Sequence, residues 1–241
     1  MKLLIDVGNT SLKAALWREQ QATPVSMSDV PWQAITEVVY ACVGNSELLN
    51  DALTLAAKKS IPCFEAHVSK NLSGLICAYE QVSNLGIDRW LALVAGFTLY
   101  PNRASIIVDA GTATTIDVLS GEGEHLGGWI LPGLDLMTRS LTQNTQRVFD
   151  DANTPFLNEL GKNTPNGLKN GALVATLGAI EQAKYQLKHV TGEQKPQILC
   201  AGGYGLLLQQ QIGGSIFDSL LVMKGLNYWH ELSKNDEKQQ N

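Results

Sequence analysis

Two stretches of this chain repeat one another, and that duplication limits the fold more than any other feature. Residues 3–10 read Leu-Leu-Ile-Asp-Val-Gly-Asn-Thr, and residues 106–112 read Ile-Ile-Val-Asp-Ala-Gly-Thr. In each, an apolar run ends on an aspartate, passes through a glycine and a hydroxyl or amide, and resumes as a second strand-like run, Leu12–Trp17 or Thr114–Leu119. Asp6 aligns with Asp109 and Gly8 with Gly111, a separation of 103 residues. That spacing is too long for a solenoid period and about the size of one domain. Each stretch is therefore read as strand, turn, strand, unlike a P-loop, which needs a helix after its glycines. Ala110, Gly111 and Ala113 are small enough for a phosphate to approach the backbone N–H groups, and Thr112, Thr114 and Thr115 add hydroxyls. Two such hairpins facing each other across a cleft hold a polyphosphate and its metal, although either one alone is equally a hairpin with a polar turn. The expectation is an α/β fold of two related halves, residues 1–103 and 104–241, with a nucleotide cleft between these domains.

The rest of the composition mainly excludes. A net charge of −5 with no run of Lys and Arg argues against nucleic acid as a partner. An aspartate at position 6 breaks any signal-peptide apolar core, and no stretch approaches the ~18 apolar residues of a membrane span, so a cytoplasmic, membrane-free protein is expected. The four cysteines, at 42, 63, 77 and 200, show no CxxC spacing. Cys42 and Cys200 sit in apolar runs, where a cysteine acts as a small buried hydrophobe. The histidines at 67, 125, 189 and 230 are scattered and are read as structural or solvated.

Along the chain, residues 19–32 read as loop or edge strand because of Pro24 and Pro31, and Val38–Val43 as a buried strand. Ser46 suits the cap of a helix over Glu47–Lys59. Leu85-Gly86-Ile87-Asp88-Arg89-Trp90 runs into an apolar helix, putting Asp88 and Arg89 at a helix N-terminus. There Asp88 serves equally well as a simple cap and Arg89 as a solvated side chain. Residues 121–133 carry five glycines, and residues 150–170 read as a polar surface loop or lid. Gly171–Val190 reads as a helix, and Ile198–Ala201 as a buried strand opening into Gly202-Gly203, where a base or ribose could approach the backbone. The polar tail from Ser233 is expected to fray.

Asp6-Val7-Gly8-Asn9-Thr10 with Lys13, then Leu85 to Trp90, then Asp109 to Asp117, then Gly127-Gly128 to Pro132-Gly133 form a series that resembles the type III pantothenate kinases. These belong with acetate and sugar kinases, heat-shock ATPases and actin in a superfamily of duplicated ribonuclease H-like, actin-like ATPase halves. The resemblance spans residues 1 to about 205, and the Gly-Ile-Asp-Arg segment between the two hairpins is its most specific part. It implies transfer of a phosphoryl group from ATP to pantothenate, giving 4'-phosphopantothenate in the first step of coenzyme A biosynthesis. It implies that Asp6, Val7, Gly8, Asn9, Thr10, Ser11, Leu12 and Lys13 bind ATP with Thr112, and that Asp6 lies near a magnesium ion (Mg2+). Asp109 matches the position of a monovalent cation, K+ or NH4+. Tyr79, Gly86, Ile87, Asp88, Arg89 and Thr164 match pantothenate contacts, with Asp88 as catalytic base. A homodimer is implied as well. Two other readings stay open on the residues alone, another small-molecule kinase of this fold and a non-catalytic nucleotide-binding regulatory protein.

Overall fold

The computed structural model describes residues 1–8, 12–43 and 46–240. The chain forms two compact units, Met1–Pro101 with Gly123–His125 and Leu220–Asn241, and Asn102–Glu122 with Leu126–Ser219.

In the first unit the strands are β1 (Lys2–Val7), β2 (Leu12–Arg18), β3 (Gln21–Pro24), β4 (Glu37–Cys42) and β5 (Cys63–Glu65). They lie in the order β3-β2-β1-β4-β5, with β2 antiparallel to β1, and with β4 parallel to it. The central position of β1 follows from its sequence, since Leu3, Leu4 and Ile5 are all fully buried, so both faces of the strand are covered. Pro24, which has no N–H for a ladder, ends the edge strand β3. Helix α1 (Glu47–Lys58) starts as the sequence suggests, with the Ser46 hydroxyl accepting from the Leu49 N–H. A short hairpin, β6 (Asn71–Leu72) and β7 (Leu75–Ile76), precedes α2 (Ile87–Leu99).

Helix α2 is buried from Arg89 through Gly96, which explains its nearly unbroken apolar sequence. Before its partner, the second unit contributes β8 (Ser105–Ala110), β9 (Ala113–Leu119), β10 (His125–Pro132), α3 (Leu134–Asn144), α4 (Thr164–Thr191), β11 (Gln197–Ala201), α5 (Gly205–Gln211) and β12 (Ile216–Phe217). The partner of α2 is the last helix, α6 (Leu221–Gln240), which returns to the first unit. A Cβ on Gly225 would fall 1.9 Å from the Leu91 carbonyl oxygen, so the two helices touch backbone to backbone. Lys2, Trp229 and Lys234 fasten α6 further, through Asn227, the His67 carbonyl and Glu37. The polar tail therefore does not fray at Ser233, because α6 continues through it.

The second sheet repeats the first, in the order β10-β9-β8-β11-β12, with β9 antiparallel and β11 parallel to the central β8. Its core gathers Ile106, Val108, Leu173, Ile180, Leu187, Ile198 and Leu208. Each such side chain contributes roughly 1.5–3 kcal/mol by leaving water. The glycine-rich stretch holds a full strand, β10, where only turns are suggested by its composition. Helix α4 begins within the expected loop, at Thr164, because the Asn163 side chain accepts from the Asn166 N–H and Pro165 suits the first turn. It ends at Gly192, in a left-handed conformation with φ of 80°. The remaining loop is pinned. Buried Lys169 donates to the carbonyls of Asp151 and Thr154, and Asn170 bonds Leu157 and Glu159.

Candidate active site

In the first unit β1 delivers Asp6 half-buried near its end, two residues before Gly8. The antiparallel register sets Lys13 opposite Asp6, and paired residues share one face of the sheet. Val7 is buried, Leu12 is half-buried, and Gly8 and Lys13 are exposed. Asn9, Thr10 and Ser11, the middle of the expected phosphate segment, lie outside the described residues.

A second group in the same unit forms around the start of α2. The Arg89 side chain is buried, 5% exposed, and its guanidinium donates to the Tyr79 hydroxyl at 3.0 Å. Burial of an arginine is costly unless it is partnered, so this fork is built into the fold rather than solvated. Asp88 is exposed, and its carboxylate accepts from the Arg89 N–H at 2.8 Å. Gly86 leaves the room for that carboxylate, since a Cβ there would lie 2.6 Å from Asp88 Oδ1. Gly86 and Ile87, both half-buried, open the helix.

Behind Tyr79 stand two residues that sequence reasoning missed. The Lys70 ammonium donates to the carbonyls of Cys77 and Tyr79, fixing the segment that carries the phenol. His125 is buried, its ring stacked on Tyr79 at 6.1 Å and 10°. Nothing local marks His125, which lies 46 residues beyond Tyr79. It is brought there by Gly123 and Glu124 running beside β7, with the Ile76 N–H donating to the Gly123 carbonyl.

In the second unit Asp109 is half-buried near the end of β8, and the register sets Thr115 opposite it. Thr112 is exposed at the tip of the turn. Gly133 presses on this turn so closely that a Cβ would fall 2.1 Å from the Gly111 carbonyl oxygen. Gly202, with φ of +80°, does the same beside Asp109, where a Cβ would lie 2.4 Å from the carboxylate and 2.5 Å from the Ala110 carbonyl oxygen. Thr164 stands exposed at the start of α4.

Among the described residues no group of three or more His, Cys, Asp or Glu gathers as a metal cage. Cys200 is buried and its thiol is pushed up to about 11 by that burial, eased slightly by Ser215, so it is inert at neutral pH. Cys42 is only half-buried, at the end of β4. No helix among the described residues is long and apolar enough to cross a membrane.

Two five-stranded sheets of the same strand order, each with an aspartate near the end of its central strand, define an α/β protein of the duplicated ribonuclease H-like class. A family model for type III pantothenate kinase matches residues 2–186. A type III pantothenate kinase of Pseudoalteromonas translucida is 70% identical over 238 residues, spanning 99% of this chain and 100% of that relative. One of Colwellia psychrerythraea is 31% identical over 238 residues, 95% of each chain. A crystal structure of a Baf family protein from Campylobacter jejuni shares the fold with a TM-score of 0.60 at 23% identity, over 97% of this chain and 99% of that one. The chain belongs to the type III pantothenate kinase family.

Proposed function

We propose that this protein transfers the γ-phosphoryl group of ATP to the primary hydroxyl of pantothenate, forming 4'-phosphopantothenate in the first step of coenzyme A biosynthesis. The observation that carries the reading is the buried Arg89 bonded to Tyr79 beside an exposed Asp88. A planar guanidinium with a phenol at its edge suits a carboxylate, which pantothenate carries and most alcohol acceptors lack. With the carboxylate held there, Asp88 takes the proton of the hydroxyl as its oxygen bonds to the γ-phosphorus. The bond from that phosphorus to the bridging oxygen breaks, and ADP leaves with the electron pair. Phosphoryl transfer asks mainly for alignment and charge neutralisation, and the ammonium of Lys13 and the hydroxyl of Thr112, both exposed, are of the kind that meets phosphate oxygens.

A magnesium ion fits Asp6. Magnesium binds through one or two carboxylates and fills its sphere with phosphate oxygens and water, so the single half-buried carboxylate of Asp6 suffices. When bound, it neutralises charge on the phosphates. A monovalent cation, K+ or NH4+, is assigned to Asp109, a half-buried carboxylate near the end of β8 with the Ala110 carbonyl next to it in the chain. The reading extends to a cytoplasmic homodimer. Exposed apolar side chains on α3 and α4, Leu136, Leu141 and Val174, support an interface of that kind.

The test is ADP release by the purified protein with ATP and magnesium, with pantothenate added or withheld, together with the mass of the product. Release that requires pantothenate, with a product heavier by one phosphoryl group, is expected. Release indifferent to pantothenate would contradict the proposal.

A further inference from the structure

The turn of the second unit is suspended from two elements that are far apart in the chain. The Thr112 carbonyl accepts from the Gly133 N–H at 3.0 Å, at the start of α3. The Ala110 carbonyl accepts from the Tyr204 N–H at 2.9 Å, just before α5. These two supports are themselves joined, because the Tyr204 hydroxyl donates to Asp135 Oδ1 at 2.6 Å. The result is a closed ring of contacts running from the turn through Gly133 and Asp135 to Tyr204 and back to the turn.

We propose that Tyr204 and Asp135 form a latch that holds the Gly111–Thr112 turn in the position that receives the nucleotide phosphates. The inference rests on the functional reading above and adds to it two positioning residues that need touch no substrate. Steric contact limits the turn in one direction only. Gly133 and Gly202 already lie so close that no Cβ fits, so the turn cannot move toward them. Movement away is opposed by the two backbone bonds, and these hold only while α3 and the Tyr204 segment stay together. The Tyr204–Asp135 bond keeps them so, and a hydroxyl donating to a carboxylate is among the stronger hydrogen bonds.

The surroundings are built to keep that bond. Burial, with Asp135 beside it, pushes the Tyr204 phenol up to about 12, so it remains a donor across any working pH. Its ring meets Phe156 edge-on at 5.4 Å, and the Lys169 ammonium lies 5.6 Å from the centre of the Phe156 ring. The loop that carries Phe156 is the one pinned by Lys169 through the carbonyls of Asp151 and Thr154. Arg139 completes the support on the other side, its Nε donating to the Asp135 carbonyl at 3.3 Å.

The test compares wild type with Tyr204→Phe, Asp135→Ala, Asp135→Asn and the double variant Tyr204→Phe/Asp135→Ala. The dissociation constant for ADP is read by calorimetry and the two KM values by ADP release. Loss of one charge-assisted bond is expected to weaken ADP binding and raise KM for ATP about fivefold to tenfold, with KM for pantothenate within about twofold. Asp135→Asn keeps an acceptor without the charge and should fall between wild type and Asp135→Ala. The double variant should be no weaker than either single variant, since one interaction is removed in all three. Wild-type ADP affinity in Tyr204→Phe, an equal rise in both KM values, or losses that add in the double variant would overturn the latch. Wild-type protein that binds ADP but turns over without pantothenate would fail the proposed function while leaving the ADP comparison decisive. A wild-type protein that does not bind ADP would overturn both.

Discussion

The two hairpins share a strand order and an aspartate at the same point, yet their surroundings differ. In the first unit Lys13 stands opposite Asp6. In the second only Gly111 and Thr112 separate the strands, Thr115 stands opposite Asp109, and Gly133 and Gly202 crowd the turn. An ammonium facing a carboxylate suits a site that must attract phosphate while it holds magnesium. A hydroxyl opposite the second aspartate brings no positive charge of its own, which is consistent with the cation proposed at Asp109. The two sheets thus share a strand order, while the residues set opposite their aspartates differ in charge.

Removing the carboxylates of the first unit should cost most. Asp6→Asn is expected to lower turnover by about 10²–10³-fold and Asp88→Asn by about 10²-fold or more, with unchanged circular dichroism. Near wild-type turnover in either variant would remove that residue from the assigned role. A backbone clash in the second unit comes next. Gly133→Ala puts a methyl against the Gly111 and Thr112 carbonyls, and a loss of roughly 2–3 kcal/mol should appear in thermal melting. An unshifted melting temperature would mean that the turn is not braced there.

The comparison can also be tested by exchange. Thr115→Lys gives the second hairpin the ammonium found in the first, and it should make turnover indifferent to potassium, erasing an advantage of about a few-fold over sodium. A potassium response equal to wild type would argue against the charge-balance account. The smallest effect concerns α6. Burial tends to raise Glu37, but hydrogen bonds from Lys234 and His230 outweigh it and hold the carboxyl below its ordinary 4.5. Burial holds His230 below its ordinary 6.5, opposed by its bond to Glu37. In both cases the unfolded chain binds the proton more readily, so this stability is complete above about 6.5 and is lost as pH falls, first through His230 and then through Glu37. The loss should be on the order of 1 kcal/mol, visible as a melting temperature that falls less steeply with acid in Glu37→Gln/His230→Phe. Equal slopes would refute it.

The central strands were legible because burial on both faces writes an unbroken apolar run, and the hairpins because Asp and Gly recur in register. The first helix was legible from Ser46, and α2 from its apolar sequence after Gly86. Other parts have no local signature. Helix α6 reaches the first unit through Gly225, Asn227 and Trp229, and nothing in those residues says which sheet they will meet. The polar character of residues 233–240 reads as fraying only when Lys234 and Glu37 are considered apart. Arg89 could be read as solvated until the fold brought Tyr79 to its guanidinium. His125 and Lys70 support the site through a stack and two backbone carbonyls, contacts that depend on chain paths rather than on motifs. Gly133 and Gly202 stood out as glycines, but the reason for them, their approach to the turn of the second hairpin, is a matter of three-dimensional packing.

The most direct measurement is pantothenate-dependent ADP release at saturating magnesium, titrated with potassium in place of sodium, for wild type and Asp109→Asn. The account predicts that wild-type release requires pantothenate and rises with potassium, and that the variant loses the potassium response while its residual release still requires pantothenate. Release without pantothenate, or a variant that follows the wild-type potassium curve, would contradict it.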